Sequence, residues 1–477
     1  MSGFKEECGV VGVLGDPEAA NLIYLSLYAL QHRGQEASGI VTLDESSRFH
    51  AHKAFGLVRA AFSKEEIQKL KGFAGIGHNR YSTHGGKLIQ NVQPFLFKTA
   101  IGEIAIAQNG NLTNADELRD SLEKTGSIFQ STSDTEVFTH LLAKSQKEDF
   151  LDRIIEVMGE VKGAYSLVLL TKDRLFAVRD PYGFRPLVMG RRGNSVVVAS
   201  ETCALDLIDV TLEREVKPGE VLEIFPDGFV RSHFPFKVEK KGFCSFEPIY
   251  FARPDSLIYG EQIYELRKRM GAILARESAI EADVVVAVPD SGVPMAVGYS
   301  DESKIPMELG LVRNHYIGRT FIEPSQSIRD FGVKLKLNPV ASVFKGKRVV
   351  VVDDSLVRGT TSGKILRMIR QAGAKEVHFR LGAPPITHSC YFGVDTPRRE
   401  NLLAAQRSVH EIREFIGADS LAFLSVEGLK EALGKEKDSY CFGCFSGKYP
   451  EDICTPIVPQ PTDGAGGPGC QSGIQKS

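Results

Sequence analysis

Four consecutive valines, Val349 to Val352, stand between the basic pair Lys347–Arg348 and the acidic pair Asp353–Asp354. A run that is apolar at every position, rather than at alternate ones, suits a strand covered on both faces, as in a parallel sheet with helices on each side. Residues 284–288 (VVVAV) repeat the pattern, and each run is followed by a Gly-containing turn and a helical segment. The second half of the chain is therefore expected to be α/β. From Cys8 to about Arg231 the pattern differs. Short β-rich runs at 10–14, 40–43, 103–107, 165–170, 196–199 and 221–225 alternate with a few amphipathic helices, which reads as mixed α+β. One helix is expected to start at Asn114, capped by that residue with Glu117 reaching back, and to end at Gly126; another spans 134–143.

The Pro-rich, charged stretch 226–242 between the halves reads as a linker, and 477 residues exceed what one hydrophobic core accommodates. The expected organisation is 8–231 and 232–461 as two domains. Residues 313–338 are basic and aperiodic, as an active-site lid would be, with Arg319, Arg329 and Lys334 as candidate phosphate contacts. Residues 462–477, rich in Gly, Pro and Ser, have too little apolar surface to order themselves.

Lys and Arg (58) nearly balance Asp and Glu (60), so net charge implies no nucleic-acid partner. No apolar run reaches membrane-spanning length, and MSGFKEE lacks the basic start and apolar centre of a secretory signal. A cytoplasmic location is expected, with no membrane partner.

The block 347–363 (KRVVVVDDSLVRGTTSG) joins a buried strand to a turn and a helix start. Open α/β sheets bind ligands at the carboxyl ends of their strands, where Asp353 and Asp354 fall. The turn supplies hydroxyls, a glycine and backbone N–H groups, an anion site. Two carboxylates there can accept from ribose hydroxyls and hold Mg²⁺, which takes oxygen ligands. The block resembles the phosphoribosyl pyrophosphate signature of type I phosphoribosyltransferases, and VAVPDSGVP (286–294) resembles that superfamily's pyrophosphate-binding turn. The resemblance implies substrate contacts from Ser291, Asp353, Asp354, Ser355, Arg358, Gly359, Thr360 and Thr361, with Ser291, Asp353 and Asp354 around the metal.

CGVVGVLG, YALQHRGQEASGI (28–40), GIGHNRYSTHG (75–85), QNGNL (108–112) and TSDTE (132–136) occur in that order. Each is weak alone: Asn-Gly is a common hairpin turn, Asp134 could cap the following helix, and Arg80 could be a surface ion pair. The ordered set resembles class II glutamine amidotransferases, whose nucleophile is an N-terminal cysteine. An α-amine of pKa about 8 can accept the proton of a thiol of pKa about 8.5, but an amide nitrogen cannot. Residues 1–7 would thus be a propeptide, removed to free the amine of Cys8. The resemblance implies that Arg80 pairs with the glutamine α-carboxylate, that Asp134 holds its ammonium, and that Asn109 and the Gly110 N–H stabilise the oxyanion.

Cys441 and Cys444 form a CxxC unit, while Cys244 and Cys390 stand apart; four thiolates suit either zinc or an iron–sulfur cluster, and spacing does not separate these. Cys203, Cys454 and Cys470 receive no role. Together the two halves resemble the glutamine phosphoribosylpyrophosphate amidotransferases along nearly the whole chain. That family implies an αββα N-terminal-nucleophile sandwich before a type I phosphoribosyltransferase domain. In one branch it implies a propeptide and a [4Fe–4S] cluster, here on Cys244, Cys390, Cys441 and Cys444. It also implies purine nucleotide inhibitors and a homotetramer. The rivals are a hexosamine-forming amidotransferase, which the phosphoribosyl block argues against, and an RNA-binding regulator on the phosphoribosyltransferase fold, which the intact cysteine site argues against.

Overall fold

The computed structural model describes residues 8–81, 88–314 and 337–451. Two antiparallel sheets carry the first half. Its strands are β1 (Gly9–Leu14), β2 (Ala37–Leu43), β3 (Phe49–Phe55), β4 (Ala74–Arg80), β5 (Phe95–Thr99), β6 (Gly102–Leu112) and β7 (Gly163–Leu170), then β8 (Leu175–Arg179), β9 (Val188–Arg192), β10 (Ser195–Ala199), β11 (Thr211–Glu215), β12 (Val221–Ile224) and β13 (Val230–His233). One sheet has the order β11-β9-β10-β1-β4-β2-β3 and the other β13-β12-β8-β7-β6-β5. Val10, Val41 and Ile76 of the first meet Ala105, Val168 and Ala177 of the second between the sheets. Outside the first sheet lie α1 (Ala19–Ala29) and the short α5 (Thr202–Asp206); outside the second lie α2 (Ala115–Lys124), α3 (Thr135–Lys144) and α4 (Phe150–Glu160). This is the expected αββα sandwich. Its strand β13 runs across position 231.

Asn114 does not make the expected cap. It occupies the N-cap position of α2, but at φ −110 and ψ 20 it lacks the extended backbone that aims a capping side chain at the helix. Its amide instead donates to the Glu160 carbonyl and accepts from Lys162 N–H, both at 2.9 Å, tying the end of α4 to the start of α2.

In the second half β14 (Val284–Ala287), β15 (Arg348–Asp353), β16 (Glu376–Leu381) and β17 (Ser420–Phe423) form a parallel sheet in that order. Helices α6 (Ile263–Glu277) and α7 (Val293–Ser303) cover one face, and α8 (Thr360–Gln371) and α9 (Val409–Ile416) the other. Met307 bridges Val285 in parallel on the free side of β14. The chain thus goes to one side of β14 first and to the other side with β15. That reversal is a topological switch point, where ligands enter at the strands' carboxyl ends.

The segment expected to be a lid has paired ends, Leu311–Arg313 running antiparallel to Leu337–Pro339. Its residues 315–336, with Arg319, Arg329 and Lys334, lie outside the described residues, as do 1–7, 82–87 and 452–477.

Candidate functional site

At the switch point, the turn after β14 places Ser291, and the end of β15 places Asp353 and Asp354. The Ser291 hydroxyl donates to one Asp354 oxygen and the Ser355 hydroxyl to the other. Asp354 is buried and Asp353 half-buried. Burial, then the neighbouring Asp354 charge, pushes the Asp353 carboxyl well above the usual carboxylate range. Asp354 is also raised by burial, partly offset by the Ser291 and Ser355 hydroxyls and by Arg267. At this pair burial outweighs the compensation that Arg267 supplies, and a cation or the hydroxyls of a sugar would favour the ionised form. Gly359 begins α8 at φ +71, where a Cβ would come within 2.6 Å of Leu403, so the tight approach to the helix N-terminus requires glycine. Arg358 and Thr360 are exposed at this turn and Thr361 is half-buried.

Cys8, half-buried, immediately precedes β1. Its thiol lies 3.5 Å from the Tyr81 carbonyl, and its own carbonyl accepts from Arg33 Nε at 3.2 Å. The pairing of Gly9 with Asn79 places Arg80, at the end of β4, beside it. Arg80 is 4% exposed, which removes the surface ion-pair reading. His78, two residues earlier on β4, donates from Nε2 to the Gln108 carbonyl at 3.1 Å, linking the sheets directly behind Arg80 and Asn109. Burial, then the Arg80 charge, pushes the His78 pKa down to about 3, so the ring is neutral. Asn109 and Gly110 lie within β6, not at a hairpin turn, and Asn109 is 1% exposed. Among the described residues the Asn109 Nδ2 is buried without a hydrogen-bond partner. Asp134 makes no cap to α3; it accepts from Leu112 N–H at 2.9 Å and Gln108 Nε2 at 3.3 Å. Cys8 and Arg80 thus lie at neighbouring strand ends of one sheet, linked through His78 to the part of β6 that carries Asn109 and Gly110, while Asp134, just before α3, bonds to the same strand.

Charges that carried no assignment in the sequence join the halves. Arg33, Glu201 and Glu247 are all fully buried. Arg33 donates to Glu201 at 2.5 Å and to Glu247 at 2.6 and 3.1 Å, while still holding the Cys8 carbonyl. Burial raises the Glu201 carboxyl, but His32 and Arg33 more than offset it and hold the group well below its usual range. Removing one partner from such a buried pair typically costs about 3–5 kcal/mol, so this junction ties Cys8 firmly to the second half.

Cys244 and Cys441 face each other across a two-residue parallel pairing. With Cys390 and Cys444 they line one cavity, walled by Phe184, Phe246, Phe392 and Tyr449. Phe392 N–H donates to the Cys390 sulfur at 3.3 Å and Gly443 N–H to that of Cys441 at 3.5 Å. Burial pushes the Cys441 thiol up to about 12, and burial, with the other three sulfurs nearby, also pushes Cys444 well above the usual thiol range. Among the described residues no three His, Cys, Asp or Glu side chains gather as a single metal ion requires. Four cysteine sulfurs lining one cavity have the chemistry to hold a thiolate-bound metal centre. Cys203 is a buried thiol packed in the core beside α1; Cys454 and Cys470 lie outside the described residues.

The model of a glutamine amidotransferase domain matches residues 78–207, and that of a phosphoribosyl transferase domain matches 260–381. The chain is 58% identical over 447 residues to amidophosphoribosyltransferase 1, chloroplastic, of Arabidopsis thaliana, covering 94% of this chain and 79% of the relative. It is 49% identical over 458 residues to the amidophosphoribosyltransferase of Bacillus subtilis, covering 95% and 96%. A solved structure of glutamine phosphoribosylpyrophosphate amidotransferase from B. subtilis, complexed with ADP and GMP, superposes with a TM-score of 0.90 at 48% identity, over 94% of this chain and 99% of that one.

Proposed function

The chain belongs to the amidophosphoribosyltransferase family, and from that premise we propose the residue roles through which it works. The reaction transfers ammonia from glutamine to phosphoribosyl pyrophosphate, giving 5-phosphoribosylamine, pyrophosphate and glutamate, the first committed step of de novo purine nucleotide synthesis. In the proposed division of labour, residues 8–231 cleave glutamine and 232–461 use the ammonia.

Removal of residues 1–7 frees the Cys8 amine, which takes the thiol proton. The thiolate adds to the glutamine carboxamide, held by Arg80 at its carboxylate and Asp134 at its ammonium. Asn109 Nδ2 and the Gly110 N–H receive the oxyanion. Collapse of the tetrahedral adduct breaks the C–N bond, the amine returns its proton, and ammonia leaves; water then hydrolyses the glutamyl thioester. Ammonia adds to the anomeric carbon of phosphoribosyl pyrophosphate as the bond to pyrophosphate breaks. Asp353 and Asp354 accept from the ribose hydroxyls, while Ser355, Arg358 and the 359–361 turn cradle the 5-phosphate. Ser291, Asp353 and Asp354 are the oxygens that would hold Mg²⁺, whose charge offsets that of the departing pyrophosphate.

The observation that carries the glutamine half is the buried Asn109 amide with a donor to spare. An unsatisfied buried donor costs about 1–3 kcal/mol in the resting protein and is repaid when the oxyanion forms. Asn109→Ala is expected to lower glutamine-dependent kcat about 10²–10³-fold while ammonia-dependent synthesis is kept. Steady-state kinetics with each nitrogen source checks this, and unchanged glutamine turnover would remove Asn109 from the mechanism.

Cys244, Cys390, Cys441 and Cys444 would hold a [4Fe–4S] cluster, which supplies no electron to this reaction and acts as structural support or oxygen sensor. Anaerobically purified protein is expected to be brown, with about four irons and four sulfides per chain; a colourless protein containing zinc would contradict the assignment.

Purine nucleotides are proposed as inhibitors, supported by the ADP and GMP bound in the B. subtilis enzyme. A homotetramer in the cytoplasm completes the proposal. No helix among the described residues is long and apolar enough to cross a membrane, and the Arabidopsis relative is named as chloroplastic.

A further inference from the structure

The loop that starts at Cys390 ends against the strand that carries Asn109. Asn111 Nδ2 donates to the Tyr391 carbonyl at 2.9 Å. Gly393 sits at φ +106, and a Cβ on it would come within 3.2 Å of the Gly110 Cα and carbonyl carbon and of Arg185 Nη2. The carbonyl between them, that of Phe392, accepts from Arg185 Nε and Nη2 at 2.9 and 2.5 Å. The Phe392 ring stacks on Phe184 with centroids 4.0 Å apart. On the other side of β6, a Cβ on Gly110 would come within 2.0 Å of the Ala164 carbonyl of β7. Ala164, Phe184 and Phe392 form one small apolar cluster, against which Cys390 and Cys441 pack. The Asn109–Asn111 segment is thus held between β7 and a loop whose first residue lines the cysteine cavity.

We propose that residues 390–393 position the Asn109–Gly110 strand for oxyanion stabilisation, so that glutamine cleavage depends on the folded state of the cysteine cavity. The inference rests on the oxyanion role assigned above to Asn109 and Gly110. Its physical basis is the steep dependence of catalysis on geometry: a displacement of about 1 Å can cost about 10² in rate. Three residues of chain reach at most about 10 Å, so Cys390 and Gly393 stay close and a displacement of one bears on the other. The arrangement gives the second half of the chain a mechanical hold on the reaction of the first. A chain whose cysteine loop is not in place would not release ammonia to no purpose.

The test uses the full-length enzyme with Gly393→Ala and, separately, Asn111→Ala, which removes the donor to Tyr391 without adding bulk. Each is expected to lower glutamine-dependent kcat about 10–100-fold. The glutamine KM should stay within about threefold, and ammonia-dependent synthesis within about twofold, because neither variant touches the switch-point site. Iron content and visible absorption should be unchanged. The rate at which an electrophilic glutamine analogue alkylates Cys8 should fall in parallel with kcat. Glutamine-dependent kcat within twofold of the parent in both variants would overturn the proposal. So would equal loss of the glutamine- and ammonia-dependent activities, since that is what general destabilisation produces. Asn109→Ala, measured alongside, separates the layers: if it too leaves kcat intact, the oxyanion reading fails, whereas a slow Asn109→Ala with normal Gly393→Ala and Asn111→Ala sinks only the positioning role.

Discussion

Cys8→Ala is expected to abolish glutamine-dependent pyrophosphate release, by on the order of 10⁴-fold or more, as loss of a covalent nucleophile does elsewhere. The same variant should keep ammonia-dependent synthesis near the parent rate. The asymmetry follows from the architecture. Cys8 precedes the central strand of one sheet of the sandwich, whereas the site proposed for the anomeric carbon lies at the ends of β14 and β15 in the other half. Supplying ammonia bypasses everything the thiol contributes. The measurement is pyrophosphate release with each nitrogen source at saturating phosphoribosyl pyrophosphate. Full glutamine-dependent activity in the alanine variant would remove Cys8 from the mechanism, and loss of both activities would point to disruption of the Arg33–Cys8 junction instead.

Asp353→Asn and Asp354→Asn are expected to give the opposite pattern, each lowering both activities about 10²–10³-fold, since both draw on the same anomeric chemistry. Capture of Cys8 by an electrophilic glutamine analogue should persist. These variants also carry a stability signature. Both carboxyls have their pKa raised by burial. The charged form is therefore penalised in the folded state, and the penalty is present above the unfolded pKa of about 3.9 and lifts as pH falls through the raised range. Replacing either group by neutral Asn removes the penalty at neutral pH. The melting temperature of the ligand-free variants should be equal to or above that of the parent, although activity is lost. A marked drop in melting temperature would mean that the carboxylates stabilise the fold rather than serve the substrate.

The parallel sheet was legible because a strand buried on both faces leaves an unbroken apolar run, and 284–288 and 349–352 contain little else. The sandwich was legible because Tyr165–Leu170 and Val196–Ala199 are short, largely apolar runs, the second mostly valine, and both are wholly buried. Asp353 and Asp354 were marked by the strand they terminate. Tertiary partners decided the rest. Asn114 has the chemistry of a helix cap, yet its amide is taken by Glu160 and by Lys162, 48 residues away. Arg33 lies in a motif that was recognised, but its burial depends on Glu201 and Glu247, 168 and 214 residues distant. A lone arginine in a sequence reads as exposed. Gly393 looks like any loop glycine until Gly110 is found against it. Spacing likewise left zinc and an iron–sulfur cluster equal; what the structure adds is that the four cysteines, far apart in sequence, line one cavity.

The central claim is that the working group is a thiol beside its own free amine, which makes cleavage of the Glu7–Cys8 bond a condition of activity. Intact-mass analysis of a preparation with full glutamine-dependent activity tests it directly. The expected result is a chain that begins at Cys8, its mass reduced by that of residues 1–7, with any uncleaved fraction active on ammonia alone. A fully active enzyme that still carries Met1 to Glu7 would contradict the account.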